Sequence, residues 1–415
     1  MKKKVLFLIL DGISDEQNVE NTALEVAYKP NLDMIAKNGL CGCIENHLGD
    51  HPDSGISNFV LLGYPVEEYP GRGYLEALGA GLEPVPGSVY VRGNFITVEE
   101  VVDDPLKTGT FKPRLKIIDR RAGRDTSGLF EMSKDIKEFF LDGVRVDFYK
   151  SLAHRGVVVM NSVNISPEVT DSDPGYVLNP HVQEIRAKKP DPEAVKTAAA
   201  LNKFQEETYK ILKDHPGNKY REIPANFILL RGASTYKYIK SFKYSFGLDA
   251  GCVAASPVIK GIGKAMEMEV PDVSGATGDL KTNLRDKTMA ALDLLNRQDF
   301  VILHILGFDV AAHDKDNNKK RFFIEKVDRE VFRRILEYCN FEKTILVVAS
   351  DHPTSTKSGG HVAGFMPFLI FTKGVEPSGI TNFNEKDCKS GPVIHIQEFM
   401  EEVIRYIQKW VIWLM

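Results

Sequence analysis

The chain has 415 residues, 43% of them hydrophobic and 27% charged, the balance of a soluble globular protein long enough for roughly two domains. Its net charge of −4 argues against a general nucleic-acid binder, although local basic patches can still hold small anions. Five cysteines, an odd number with no Cys-x-x-Cys module and no secretory signal, read as reduced thiols and an expected cytoplasmic location.

Three lysines precede the apolar run Val5–Leu10, but the run is too short for a signal peptide and stops at Asp11-Gly12, so it predicts a buried first strand. Pro30 to Gly39 reads as a helix, with Pro at its start and Gly at its end. A turn-rich stretch from His47 to Gly55 leads into a short helix over Ile56–Gly63. Ser54 stands where that helix opens, so its hydroxyl is either a nucleophile beside anion-favouring backbone N–H groups or an N-cap.

Between residues 75 and 240 the strand-like runs shorten, as in Arg145–Tyr149 and Gly156–Met160, and a Lys/Asp/Pro-rich link follows near 187–193. An α/β rhythm then resumes, with Val253–Ala255, a helix from Leu280 to Asn296, and strands at Phe300–Ile305, Thr344–Ser350 and Phe368–Phe371. The expected fold class is α/β, a mixed or parallel sheet with helices on both faces, formed by 1–74 and 245–415. Residues 75–244 are expected to be an inserted α+β domain that handles substrate. The segment from Val403 carries charges and is too short to span a bilayer, so it predicts an amphipathic closing helix and no membrane association. Its Trp410 and Trp413 permit a homo-oligomer.

Metal-capable side chains collect where apolar runs end. Asp351-His352 closes Ile345–Ser350, His361 follows, and Asp309 and His313 are four apart, a spacing that projects both from one helical face. Asp11 occupies the same post-strand position in the N-terminal segment. Carboxylate and imidazole together suit Zn²⁺ or Mn²⁺ better than Ca²⁺, and a binuclear centre is the leading reading, in a cleft between the domains. Gly261-Ile262-Gly263-Lys264 is no phosphate loop, because it lacks a glycine at the right distance and the Ser/Thr after lysine.

Several stretches resemble the archaeal-type, cofactor-independent phosphoglycerate mutases of the alkaline phosphatase superfamily. They include Leu10-Asp11-Gly12, Ser54 through Gly63-Tyr64, Gly71-Arg72-Gly73-Tyr74-Leu75-Glu76-Ala77, Asp119 to Arg124, His154-Arg155, Asp171-Ser172-Asp173-Pro174, Leu230-Arg231-Gly232, Gly275-Ala276-Thr277-Gly278, Asp309 to Asp314, Asp351-His352 and His361. The resemblance implies one divalent ion held by Asp309, His313 and His361 and a second held by Asp11, Ser54, Asp351 and His352. Mn²⁺, Zn²⁺ or Co²⁺ would serve. It implies a phosphoserine on Ser54, phosphoglycerate as substrate, and no need for 2,3-bisphosphoglycerate. Arg120, Arg121, Arg124, Arg155 and Arg231 are candidates to grip phosphate and carboxylate, and Asp173, Asp171 or His154 to move the glycerate hydroxyl proton.

The family pattern Pro-Gly-Ser-Asp-Thr is here Pro52-Asp53-Ser54-Gly55-Ile56, so aspartate replaces the glycine before the nucleophile and Ser57 becomes a rival. Ala312 and Pro353-Thr354-Ser355-Thr356 also depart from the family. A phosphatase, or a phosphotransferase of the homoserine-kinase-like kind, is the alternative outcome of the same site. A non-enzymatic metal-binding relative is the third reading. His47, His181, His215 and His395 read as structural or solvated.

Overall fold

The structure, a computed structural model, describes residues 3–17, 19–101, 114–175 and 180–412, apart from the side chains of 409–412. Its strands in chain order are β1 (Lys4–Leu10), β2 (Leu40–Asn46), β3 (Val89–Val101), β4 (Arg114–Asp119), β5 (Glu138–Leu141), β6 (Val144–Lys150) and β7 (Arg155–Asn161). After these come β8 (Phe227–Thr235), β9 (Ala250–Val253), β10 (Phe300–Ile305), β11 (Thr344–Ala349), β12 (Gly364–Phe371) and β13 (Val393–His395).

The chain forms two compact units, Met1–Tyr69 with Ile239–Met415, and Pro70–Tyr238. The breaks therefore fall before the 74/75 and 244/245 positions read from the sequence. The helix Arg72–Gly79 explains the first shift: Gly73 packs so closely that a Cβ there would come 2.1 Å from the Tyr90 carbonyl oxygen, and Tyr74 N donates to Ser234 Oγ at 2.8 Å.

The first unit holds a seven-stranded sheet in the order β13-β2-β12-β11-β1-β10-β9. β1 runs parallel to both β10 and β11, β10 parallel to β9, and β12 antiparallel to both β11 and β2. All six residues of β10 and of β11 are buried, which is why these runs carry Val, Ile and Leu without alternation. Side chains on β1 serve both faces. Leu6, Leu8 and Leu10 join a core with Ile35, Leu294 and Phe323, whereas the Phe7 ring meets Phe300 and Phe399 at 5.6 and 6.1 Å.

The second unit holds an antiparallel sheet, β4-β3-β7-β6-β5, with β8 also paired to β3. The 22-residue helix Pro192–Lys213, capped by the Asp191 carboxylate, packs Ala194, Leu201 and Phe204 into its core.

Other sequence boundaries shift by a few residues. The predicted 280–296 helix begins at Leu284, because the Asn283 side chain caps it by accepting from Asp286 N at 3.1 Å. The closing helix, Ile396–Ile412, buries Phe399, Met400, Val403 and Ile407, with Phe399 against Phe368 at 5.2 Å. Trp413 and the Trp410 side chain lie outside the described residues. Among the described residues no helix is long and apolar enough to cross a membrane. The Gly261-Ile262-Gly263 stretch is interior to the helix Pro257–Ala265.

Candidate functional site

Sheet register delivers the acidic residues to one level. Leu10 pairs with Ile305 and Ile9 with Ala349, so Asp11, the helix Gly307–His313 and Asp351 all leave the sheet at its carboxyl edge. Asp309 N donates to the Asp11 carbonyl at 3.1 Å, and Gly12 N donates to Asp351 Oδ1 at 3.3 Å. The first three segments are thereby tied to one another before any ligand is considered.

Two sets of donor atoms result. In the first, His313 Nε2 and His361 Nε2 each lie 3.3 Å from a carboxylate oxygen of Asp309. The second gathers Asp11, Asp351 and His352, with His352 Nε2 3.6 Å from Asp11 Oδ1 and 3.3 Å from Asp351 Oδ2. Within each set one donor atom per residue lies within 4.8 Å of the others. The sets adjoin, since the His352 and His361 rings stack with centroids 3.8 Å apart.

Ser54 belongs with the second set: its Oγ is 2.9 Å from His352 Nε2. It does not cap the helix Ser54–Leu61. Asp53 does, by accepting from Gly55 N at 2.8 Å, which leaves the serine hydroxyl for His352. Asp53 itself sits at φ −80°, ψ 134°, ordinary extended backbone that needs no glycine. The rival Ser57 is fully buried and takes a hydrogen bond from Asn46 Nδ2 at 3.1 Å.

The donor chemistry fits divalent cations. A carbonyl oxygen only accepts, so His313 Nδ1, 2.6 Å from Gly359 O, and His361 Nδ1, 2.7 Å from Pro52 O, carry their hydrogens there. Both Nε2 atoms then face Asp309, and the Nδ1 partner orients each ring so that its Nε2 can serve a metal. His361 Nε2 is buried and makes no hydrogen bond of normal geometry among the described residues. Burial, then the charge of Asp309, pushes the Asp351 carboxyl well up toward neutrality, whereas His313 and His361 overcome burial and hold Asp309 well below the usual range. Buried carboxylates this close need positive charge to stay ionised together.

Three supporting residues escaped sequence reasoning. Asn58 Nδ2 donates to Asp351 Oδ2 at 2.8 Å, and Asn46 Nδ2 to the Asp351 carbonyl at 2.7 Å. His304, buried on β10, puts Nε2 3.1 Å from Asp11 Oδ2, and burial lowers its pKa to about 3, so it is neutral. A lone imidazole inside Phe300–Ile305 was the available signal for it.

The second unit concentrates guanidinium groups. Arg120 Nη1 lies 2.5 Å from Asp173 Oδ1 and Arg231 Nη1 3.8 Å from Asp173 Oδ2. Against the cost of burial, Arg120 holds the Asp173 carboxyl below its ordinary value. Asp171 accepts from Gly232 N at 2.8 Å, and burial raises its pKa. Arg121 and Arg124 flank a turn in which Ala122, Gly123 and Arg124 have φ of 45°, 67° and 58°, pinned by Asp119 Oδ1 accepting from Arg121 N and Gly123 N. Burial, then the charges of Arg155, Arg92, Arg121 and Arg124, keeps His154 neutral.

Sequence reading quoted Glu76 and Arg72 without giving them a role, and passed over Arg92. Glu76 is wholly buried, with Arg72 Nε 3.3 Å and Arg92 Nε 3.6 Å from its Oε1. Buried nitrogens of Arg92, Arg155 and Arg231 have no hydrogen-bond partner among the described residues. A charged residue within the run Val89–Phe95 was the one clue to Arg92.

The sequence profile of 2,3-bisphosphoglycerate-independent phosphoglycerate mutase matches residues 36–218. A Methanopyrus kandleri protein of that name is 34% identical over 99% of this chain and 98% of its own, and a Methanocaldococcus jannaschii protein, named as form 1 of the same enzyme, is 36% identical over 94% of each. Among solved structures, a Pyrococcus horikoshii protein aligns with TM-score 0.74 at 26% identity over 98% of both chains. The cofactor-independent phosphoglycerate mutase of Thermoplasma acidophilum aligns at 0.59 with 29% identity over 98% of this chain and all of its own. With relatives this similar over nearly its whole length, the chain belongs to the 2,3-bisphosphoglycerate-independent phosphoglycerate mutases, enzymes of the isomerase class.

Proposed function

We propose that the chain interconverts 3-phosphoglycerate and 2-phosphoglycerate without bisphosphoglycerate, through a phosphoserine on Ser54. The reading gives one divalent cation to Asp309, His313 and His361 and a second to Asp11, Ser54, Asp351 and His352. Its chief support is the meeting of Ser54 Oγ with the second donor set, 2.9 Å from His352 Nε2, in a chain of this family.

Bound Mn²⁺, Zn²⁺ or Co²⁺ would neutralise the phosphoryl oxygens and make the serine hydroxyl a usable nucleophile at neutral pH. In this reading Ser54 Oγ attacks phosphorus in line, the ester bond to the glycerate oxygen breaks, and that oxygen takes up a proton. The neighbouring glycerate hydroxyl then attacks the phosphoserine, releases its proton, and restores Ser54. The helix Ser54–Leu61 presents backbone N–H groups beside the serine, where anionic phosphate is favoured.

Arg120, Arg121, Arg124, Arg155 and Arg231 supply planar donors for carboxylate and phosphate. Arg92 joins them by the same chemistry, and Glu76, beside Arg72 and Arg92, offsets part of the positive charge. Asp173, held ionised by Arg120, and neutral His154 both offer a lone pair to the glycerate hydroxyl proton.

The test is a coupled assay of 3-phosphoglycerate conversion with Mn²⁺ and no bisphosphoglycerate, run beside Ser54→Ala and a free-phosphate readout. Mutase turnover that vanishes in Ser54→Ala supports the reading. Free phosphate without 2-phosphoglycerate makes the chain a phosphatase instead.

A further inference from the structure

We propose that Thr354 is a positioning residue whose single hydroxyl fixes the imidazole tautomer of His352 and the carboxylate of Asp309 together, ordering the donor atoms of both candidate cation sites. The proposal rests on the two-cation reading above, but its first measurement does not.

Thr354 Oγ1 lies 3.0 Å from Asp309 Oδ1 and 3.2 Å from His352 Nδ1. The hydroxyl has one hydrogen, and a carboxylate can only accept, so the hydrogen goes to Asp309. The hydroxyl oxygen then presents a lone pair to His352, and Nδ1 must carry the ring hydrogen. This leaves the Nε2 lone pair pointing at Ser54 Oγ, 2.9 Å away, between the carboxylates of Asp11 and Asp351. The Nδ1 hydrogens of His313 and His361 are held by backbone carbonyls, which accept one hydrogen and pass nothing on. A hydroxyl does both, so Thr354 links His352 of one set to Asp309 of the other.

The surroundings hold Thr354 in that place. It is fully buried. Its N–H donates to the Ser14 carbonyl at 3.0 Å, and its own carbonyl accepts from the buried Lys320 ammonium at 3.2 Å. Gly12 leaves room for the hydroxyl: a Cβ there would sit 2.5 Å from Thr354 Oγ1. A valine keeps the shape of threonine but loses the relay, whereas a serine keeps the relay and loses the methyl.

The experiment uses the full-length chain, metal-free and labelled with ¹⁵N-histidine. Long-range ¹H–¹⁵N correlation reads the ring tautomers, with His352 assigned through His352→Gln, and calorimetric titration with Mn²⁺ follows. The expected results are an Nδ1–H tautomer for His352 in the wild type and its loss in Thr354→Val. Mn²⁺ affinity should fall by about 10- to 100-fold in Thr354→Val, while Thr354→Ser keeps the wild-type tautomer and stays within about threefold in affinity.

An Nε2–H tautomer in the wild type would overturn the proposal without any variant, and this arm stands even if Thr354→Val does not fold. So would Thr354→Val with unchanged tautomer and affinity, or Thr354→Ser losing as much as Thr354→Val, which would assign the effect to packing. A wild type that takes up fewer than two Mn²⁺ defeats the two-cation reading instead, and the tautomer still decides the role of Thr354.

Discussion

Ser54 Oγ stands 2.9 Å from His352 Nε2, and Ser57, three residues along the same helix, is turned into the core and takes the Asn46 amide hydrogen at 3.1 Å. The two serines are separated by what their neighbours do with them. Ser57→Ala should therefore keep mutase turnover within a few-fold and cost about 1 kcal/mol of stability from the lost hydrogen bond. Steady-state assay and urea unfolding check this, and loss of turnover as complete as in Ser54→Ala would move the nucleophile to Ser57.

Removing one imidazole should empty one cation site and spare the other. His361 stands 3.3 Å from Asp309 and belongs to the first set alone, so His361→Ala should bind one equivalent of Mn²⁺ where the proposed function expects two for the wild type. Cations that bind only the folded state raise its stability by mass action, so the thermal shift with saturating Mn²⁺ should shrink correspondingly. Two equivalents retained in His361→Ala would remove His361 from the ligand set.

Gly12 has φ +65°, and a Cβ there would approach Thr354 Oγ1 to 2.5 Å and Asp309 Cα to 3.0 Å. Backbone strain alone makes Gly12→Ala cost about 1–3 kcal/mol. Because the clash falls on Thr354 and Asp309, weaker Mn²⁺ binding should accompany the lower melting temperature. A variant destabilised by that amount with wild-type Mn²⁺ affinity would contradict the link between Gly12 and the ligand atoms.

How much of this was legible beforehand depends on what each residue reveals by itself. The strands Phe300–Ile305 and Thr344–Ala349 are visible because strands covered on both faces read as unbroken apolar runs, and the acids that follow them stand out against that background. The cap was not legible, since Asp53 and Ser54 are both capping residue types and only the backbone assigns the task to Asp53. The insert boundary was misplaced because the helix Arg72–Gly79 looks alike in either unit until Gly73 meets the Tyr90 carbonyl. Arg92 stayed hidden because a charge on a strand does not announce which distant carboxylate it answers.

Glu76 is such a carboxylate, wholly buried between Arg72 and Arg92. Burial works against its charge, but Arg92 and Arg72 hold its carboxyl below the ordinary value. Glu76→Gln keeps the shape and leaves the guanidinium groups uncompensated, a change expected to cost about 3–5 kcal/mol. Urea unfolding measures it, and a loss under 1 kcal/mol would mean that solvent or anions already balance the arginines.

Lys287 gives a pH dependence of known sign. Burial lowers its ammonium from 10.5 to about 8, while Nζ donates to the His304 carbonyl at 2.6 Å. In the unfolded chain the amine takes its proton near pH 10.5, in the folded chain only near 8, so between these values protonation favours unfolding. Relative to Lys287→Met, the wild type should gain about 3 kcal/mol as pH rises through that window, with a constant offset below pH 8. Stability curves for the two proteins that stay parallel from pH 7 to 10 would show that the buried amine holds its proton throughout.

The position of β1 between β10 and β11 also sets an order of events. Lys4 has Thr344 for its neighbour and Val5 has Phe300, so β1 waits for strands made about three hundred residues after it before it can pair. The Pro70–Tyr238 sheet closes within one continuous stretch, and distant pairings form more slowly than near ones. During synthesis the apolar Val5–Leu10 segment therefore stays unpaired until β10 and β11 have been made, and the two donor sets at the ends of these strands are among the last features to assemble.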